Sequence, residues 1–107
     1  MNNPFEGYKG HPEFYNELMT IADIHARKNA DYCGERDPLA NLKLCMMMNV
    51  DPFIGCLVRI GDKFSRLCSF AQTGYLEVKD ESIIDTLRDL AVYSLLAVVL
   101  FKEKKQI

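Results

Sequence analysis

The chain has 107 residues, 49% hydrophobic and 26% charged, the proportions of one compact soluble domain rather than two. Its 13 Lys and Arg against 15 Asp and Glu, with a pI near 5.6, argue against sequence-independent binding to a nucleic-acid polymer, which needs an excess of phosphate-neutralising cations. No run reaches the ~20 apolar residues of a membrane span, and Met1 to Gly10 lacks the cationic start and apolar run of a signal peptide, so the expectation is a cytoplasmic protein with no membrane partner.

Residues 1–107 read as a single helical domain, with 1–11 as an N-terminal extension. A domain this small buries only ~60–70% of its unfolded surface and gains from self-association, so a homo-oligomer is expected. Cys33, Cys45, Cys56 and Cys68 lack zinc-finger spacing, and with no secretory signal they read as reduced core or near-core residues.

The first helix should run from about Pro12 to Ala30, with Phe14, Leu18, Ile21, His25 and Tyr32 facing inward. A short second helix, Pro38 to about Met48, follows the capping residue Asp37 and carries Leu39, Leu42, Leu44 and the run Met46 to Met48. The third, Pro52 to about Gln72, follows Asp51 and ends at Gly74. Its apolar side holds Phe53, Leu57, Ile60, Phe64, Leu67 and Ala71, with a basic side opposite. The fourth starts at the N-cap Asp80 and ends near Lys102, Lys104 and Lys105. From Leu90 to Phe101 it is apolar except at Ser94, so it must be central in the bundle or form a subunit interface. The fold class is all-α, a bundle of about four helices, oligomeric through this C-terminal helix.

Two charged ridges follow from helical spacing. Arg59, Lys63 and Arg66 share one side of the third helix with Asp62 close by, and Glu81, Asp85 and Asp89 share one side of the fourth with Arg88 at the edge. Three readings stay open: pairing of opposite charges across a bundle surface, a phosphate clamp of Arg and Lys, and an acidic site for Mg²⁺. At the end of the first helix, His25, Lys28, Asn29, Asp31 and Tyr32 crowd together. Asn29 and Asn41 are not explained by capping, and Tyr32 suits stacking on a base.

Four blocks in order, Lys28-Asn29-x-Asp31-Tyr32, Asp37-Pro38-Leu39-Ala40-Asn41, Arg59-x-x-Asp62-Lys63-x-x-Arg66-Leu67, and Asp80-Glu81-Ser82-x-x-Asp85-Thr86-Leu87-x-Asp89-Leu90-Ala91-x-Tyr93, resemble the phage and bacterial nucleotide-modification-associated domain of the first type. The similarity runs from about His25 to Leu96. It implies a phage-type helical protein connected with nucleotides and specifies no reaction. The last block is more distantly similar to the acidic helix of MazG-like nucleoside triphosphate pyrophosphohydrolases, in which carboxylates hold Mg²⁺ and substrate phosphates; Glu81, Asp85 and Asp89 would match. Those enzymes carry a further Glu-x-x-Glu pair, where this chain has only Glu13 and Glu17 at a spacing of four.

The leading expectation is a protein that binds a phosphorylated nucleotide, for nucleotide metabolism or to sequester a host nucleotide signal. Arg59, Lys63 and Arg66 would contact phosphate with help from Lys28, while Asn29, Asn41 and Tyr32 orient base or sugar and His25, Asp31 and Asp62 complete the polar site. The alternatives are a Mg²⁺-dependent MazG-like pyrophosphohydrolase using Glu81, Asp85 and Asp89, and a structural or protein-interaction bundle.

Overall fold

Three residues that precede proline use the same device. The side chains of His11, Asp37 and Asp51 each accept a hydrogen bond from the backbone N–H two residues on, at 3.1, 3.0 and 2.8 Å; for His11 and Asp51 that donor lies in the first turn of a helix, whereas Asp37 closes a turn ahead of a helix that begins at Ala40 and not at the expected Pro38. The computed structural model describes residues 3–32, 37–75 and 82–105, except for the side chains of 30–32. Among these the chain is all-α: α1 (Pro12–Tyr32), α2 (Ala40–Lys43), a 3-10 helix (Leu44–Met48), α3 (Pro52–Thr73) and α4 (Ile83–Lys105). No single described helix is long and apolar enough to cross a membrane.

The expected cap Asp80 lies outside the described residues, and the cap that the structure shows is Ser82. Its hydroxyl accepts from the Asp85 N–H at 3.0 Å while its carbonyl accepts from the Thr86 N–H at 3.1 Å. The other end of the α3–α4 connection is set by Gly74, whose φ of 79° lets its N–H reach the Phe70 carbonyl at 2.7 Å.

α3 and α4 are antiparallel, as their pairings show: residue numbers rise along one helix as they fall along the other. Asp51 meets Lys104 at 2.7 Å, the Phe53 and Phe101 rings lie 5.2 Å apart, Cys56 Sγ donates to the Tyr93 carbonyl at 3.2 Å, and Lys63 meets Asp89 at 3.1 Å. Along this seam sit the buried residues Cys56, Ala97 and Leu100, joined by Leu39 from the start of α2 and flanked by half-buried Phe53, Ile60 and Leu96. Gly55 is required where the 3-10 helix crosses α3, since a Cβ there would stand 2.9 Å from Cys45 Sγ.

Several expectations need correction. The single second helix splits: one α turn tightens into a 3-10 helix that seats Cys45 against Gly55 and leaves Met47 and Met48 facing outward. The apolar side of α3 is two sides. Phe53, Ile60 and Leu67 lean towards α4, whereas Leu57 and Phe64 are exposed, because the apolar arc is wider than one helix contact can cover. Phe14 on α1 is exposed and stacks edge-on with Tyr15 instead of entering the core. Cys68 is exposed, Cys45 half-buried and Cys56 buried, all three as free thiols; Cys33 lies outside the described residues. The Cα radius of gyration, 15.9 Å, exceeds the ~13 Å typical of a globular chain of this length.

Candidate functional site

A cavity of about 420 Å³ opens where the second half of α1 crosses α4 beside α2 and α3. Its volume lies within the range of small-molecule sites, about 300–1,000 Å³. On α1, Ile21, His25, Lys28 and Asn29 recur at three- and four-residue spacing and present one face to it. On α4, Asp85, Arg88, Asp89, Val92, Tyr93 and Leu96 do the same, so the acidic positions and the apolar ones below them form a single stripe. Asn41 from α2 and Arg59 from α3 close the rim.

Of the residues expected at the site, His25, Lys28, Asn29, Asn41, Arg59, Asp85 and Asp89 therefore line one cavity. Lys63 stands behind the wall, with its ammonium 3.1 Å from Asp89 Oδ2. Asp62 is exposed and Arg66 half-buried, and neither lines the cavity, because α3 turns only the Arg59 end of its basic ridge toward α1 and α2. Glu81 and the side chains of Asp31 and Tyr32 lie outside the described residues.

The charges in the cavity are unevenly committed. Asp89 is held between Lys63 at 3.1 Å and Lys28 at 3.7 Å, a pairing across the two expected ridges. Arg88 forms a bidentate pair with Glu17, both bonds 2.8 Å long, and these hydrogen bonds hold the Glu17 carboxyl below the usual carboxylate range. Arg59 has no acidic partner among the described residues. Its Nη1 donates to the Tyr93 hydroxyl at 3.5 Å, and its guanidinium carbon sits 5.8 Å from the centre of that ring. The side chains of His25, Asn29 and Asn41 make no hydrogen bond to another described residue, so their donors and acceptors face the cavity or its rim uncommitted.

No group of three His, Cys, Asp or Glu side chains that could hold a metal ion occurs among the described residues. Asp85 and Asp89 present two carboxylates one turn apart, but Asp89 already faces two ammonium groups. These residues alone do not make a cation cage, and a divalent ion here would need a substrate's phosphates to complete its shell. Glu17, one of the two carboxylates left by the missing Glu-x-x-Glu pair, is committed to Arg88.

Beyond the expected residues, Ile21, which shares the inward face of α1 with His25, forms an apolar floor with Ile24, Val92 and Leu96, Tyr93 supports Arg59, and Glu17 braces Arg88. The periodicity of Asp85, Arg88, Asp89, Val92, Tyr93 and Leu96 was a legible signal for the floor and for Tyr93, whereas nothing local ties Glu17 to Arg88, 71 positions away. Comparison with known proteins finds no matching family model, no matching curated protein and no matching solved structure.

Proposed function

We propose that the cavity binds a small phosphorylated nucleotide. The observation that carries the reading is the meeting of an arginine that has no acidic partner among the described residues, three uncommitted polar side chains and an apolar floor in one cavity of suitable volume. Arg59 is the phosphate contact, because it lacks a carboxylate partner and its planar fork matches phosphate oxygens. Lys28, only loosely paired with Asp89 at 3.7 Å, adds positive charge from the opposite wall. Asn29, Asn41 and His25 supply donors and acceptors for base edges or sugar hydroxyls, while Ile21, Val92 and Leu96 cover an apolar ring face. The resemblance to the nucleotide-modification-associated domain agrees with this chemistry, and in a phage setting such a site serves nucleotide metabolism or sequesters a host nucleotide signal.

The test is to incubate the purified chain with a mixed pool of linear and cyclic nucleotides and Mg²⁺, separate it by filtration, and chromatograph the filtrate and the heat-released ligand. The expected result is one nucleotide depleted from the filtrate and recovered intact on heating. Failure of any nucleotide to bind, or to raise the melting temperature, would leave a purely structural bundle. A second reading, hydrolysis of a nucleoside triphosphate to monophosphate and pyrophosphate, draws on the presence of Asp85 and Asp89 on the same wall, since Mg²⁺ accepts one or two carboxylates with substrate phosphates. New pyrophosphate in the filtrate, lost in Asp85→Asn, would replace binding by that reading.

A further inference from the structure

The α3–α4 hairpin has two broad sides, and only one is covered. Take Cys56 as the direction in which α3 faces α4, and Ala97 as the direction in which α4 faces α3. At 100° per residue, Ile54, Leu57, Gly61, Phe64 and Cys68 then fall within an arc of about 80° on α3. On α4, Ile84, Leu87, Ala91, Leu95 and Val98 fall within an equal arc at the same offset. Because the two helices are antiparallel, equal offsets in the same rotational sense point to the same side of the hairpin. Arg59, Asp85 and Asp89 have the opposite offset, on the side that α1 and the cavity occupy.

The uncovered side is apolar from Ile54 to Cys68 on α3 and from Ile84 to Val98 on α4, and beyond those stretches Gln72, Lys102 and Lys105 fall on it at the C-terminal ends of the two helices. Leu57 is 42% exposed, Phe64 60%, Ile84 54%, Leu87 50%, Leu95 55% and Val98 51%. With Ile54, Val58 and Val99, also exposed, these side chains amount to on the order of 700–800 Å², more than the largest apolar patch of an ordinary monomer and close to one partner's share of a standard interface.

Gly61 and Ala91 lie at the middle of the two stripes. A Cβ on Gly61 would meet nothing within 4 Å, so nothing within the chain needs a glycine there, although glycine is unfavourable in a helix interior. A small residue at mid-stripe lets another helix approach closely.

We propose that this face binds a second copy of the chain, so that two α3–α4 hairpins pack across a two-fold axis as a four-helix core with the two nucleotide cavities facing outward. A two-fold interface must be complementary to itself, and the charge-free stretches from Ile54 to Cys68 on α3 and from Ile84 to Val98 on α4 meet that condition, because no charge within them is opposed by its own copy. The occupant must also be present whenever the chain folds. The four buried apolar side chains, Leu39, Cys56, Ala97 and Leu100, are a small core for two helices of 22 and 23 residues, and an identical partner always accompanies the chain. The interface differs from one made by α4 alone, since α3 supplies half of it.

The test is light scattering coupled to gel filtration of the purified chain at micromolar concentration, with no nucleotide present. The expected mass is twice the 12.3 kDa of one chain. A mass of one chain overturns the proposal, whether the monomer stays free, adsorbs to lipid vesicles or captures another protein. Leu95→Glu, at a position already half exposed, should shift the chain to monomer. Because a monomer deprived of its partner can unfold, Gly61→Leu supplies the second test: it improves helix propensity, starts from a Cβ with open space around it, and obstructs the approach of another helix. Monomeric Gly61→Leu with unchanged helical circular dichroism supports the interface. A dimer that survives both substitutions lies on another surface and overturns it.

Discussion

The two sides of the α3–α4 hairpin differ in chemistry although the same helices build both. One side carries Arg59, Lys63, Asp85 and Asp89, is half covered by α1, and is organised by ion pairs that leave Arg59 without an acidic partner among the described residues. The other carries Ile54, Leu57, Phe64, Leu87, Leu95 and Val98 with no covering element among the described residues. A helix with a single apolar stripe has one partner, whereas α3 and α4 each have an inner stripe for one another and an outer one besides. The polar side suits a ligand that comes and goes, because its groups are satisfied by water in the ligand's absence. The apolar side suits a permanent partner, because hydration of that much apolar surface is unfavourable.

The largest expected effect comes from breaking the apolar side alone. Leu95→Glu should raise the dimer dissociation constant by a hundredfold or more, since it places like charges across a desolvated interface. It should leave nucleotide binding per folded chain within about threefold, measured by isothermal titration. A loss of both properties together would mean that the two sides are not independent.

The converse change is Arg59→Ala. It removes the proposed phosphate contact and should weaken nucleotide affinity tenfold or more, the usual effect of losing a charge-assisted hydrogen bond, while light scattering should still report a dimer. Lys63→Ala should weaken binding less, because Lys63 does not line the cavity and stands behind Asp89 on its wall. Equal losses from the two substitutions would place the phosphate farther along α3, toward Arg66.

Much of this was legible because it is local. Asp51 announces a helix start by standing before proline, Asp37 in the same position announces a turn that leads into a helix at Ala40, Gly74 marks a helix end, and His25, Lys28 and Asn29 share a face by spacing alone. What was not legible depends on a partner distant in sequence. Cys56 and Ile60 face α4 while Leu57 and Phe64 face away, although all four lie on one continuous apolar arc, and only the docking of α4 divides them. Asp62 and Arg66 belong to the same ridge as Arg59 by periodicity but do not line the cavity, because α1 and α2 close it near Arg59. Asp80 and Ser82 are both good caps. The start of the described α4 at Ile83 makes Ser82 the cap, which the Ser82-x-x-Asp85 spacing also signals. Ser82→Ala should accordingly cost about 0.5–2 kcal/mol in chemical unfolding, a loss common to both sides of the hairpin.

The cysteines sharpen the comparison without altering either side. Cys56 is buried, and burial pushes its thiol above its ordinary range, so alkylation there should be slowest. Cys68 is exposed in the single chain and lies on the apolar stripe. Mapped by peptide mass, Cys68 should react slowly in the wild type and tenfold or more faster in Leu95→Glu or Gly61→Leu. A Cys68 that reacts equally fast in all three would place the interface away from the end of α3.

The smallest expected effect concerns the polar side and pH. Hydrogen bonds from Arg88 lower the Glu17 carboxyl in the folded chain, so the pair contributes stability that is present above the unfolded pKa of Glu17 and is lost as pH falls through its lower folded value. Asp37, lowered mainly by Lys43, and Asp51, lowered mainly by Lys104, act with the same sign, and stability should fall on the acid side of the ordinary carboxylate range. The contribution of Glu17 can be separated by difference. Glu17→Gln should flatten the acid limb of the melting temperature against pH while changing the melting temperature at neutral pH only slightly, since the pair is partly exposed and such pairs contribute little. It should also loosen Arg88 on the cavity wall and leave the dimer mass unchanged at every pH. An acid limb identical to the wild type would mean that Arg88 gains as much from solvent as from Glu17, and that this wall of the cavity is held by the packing of α1 rather than by the ion pair.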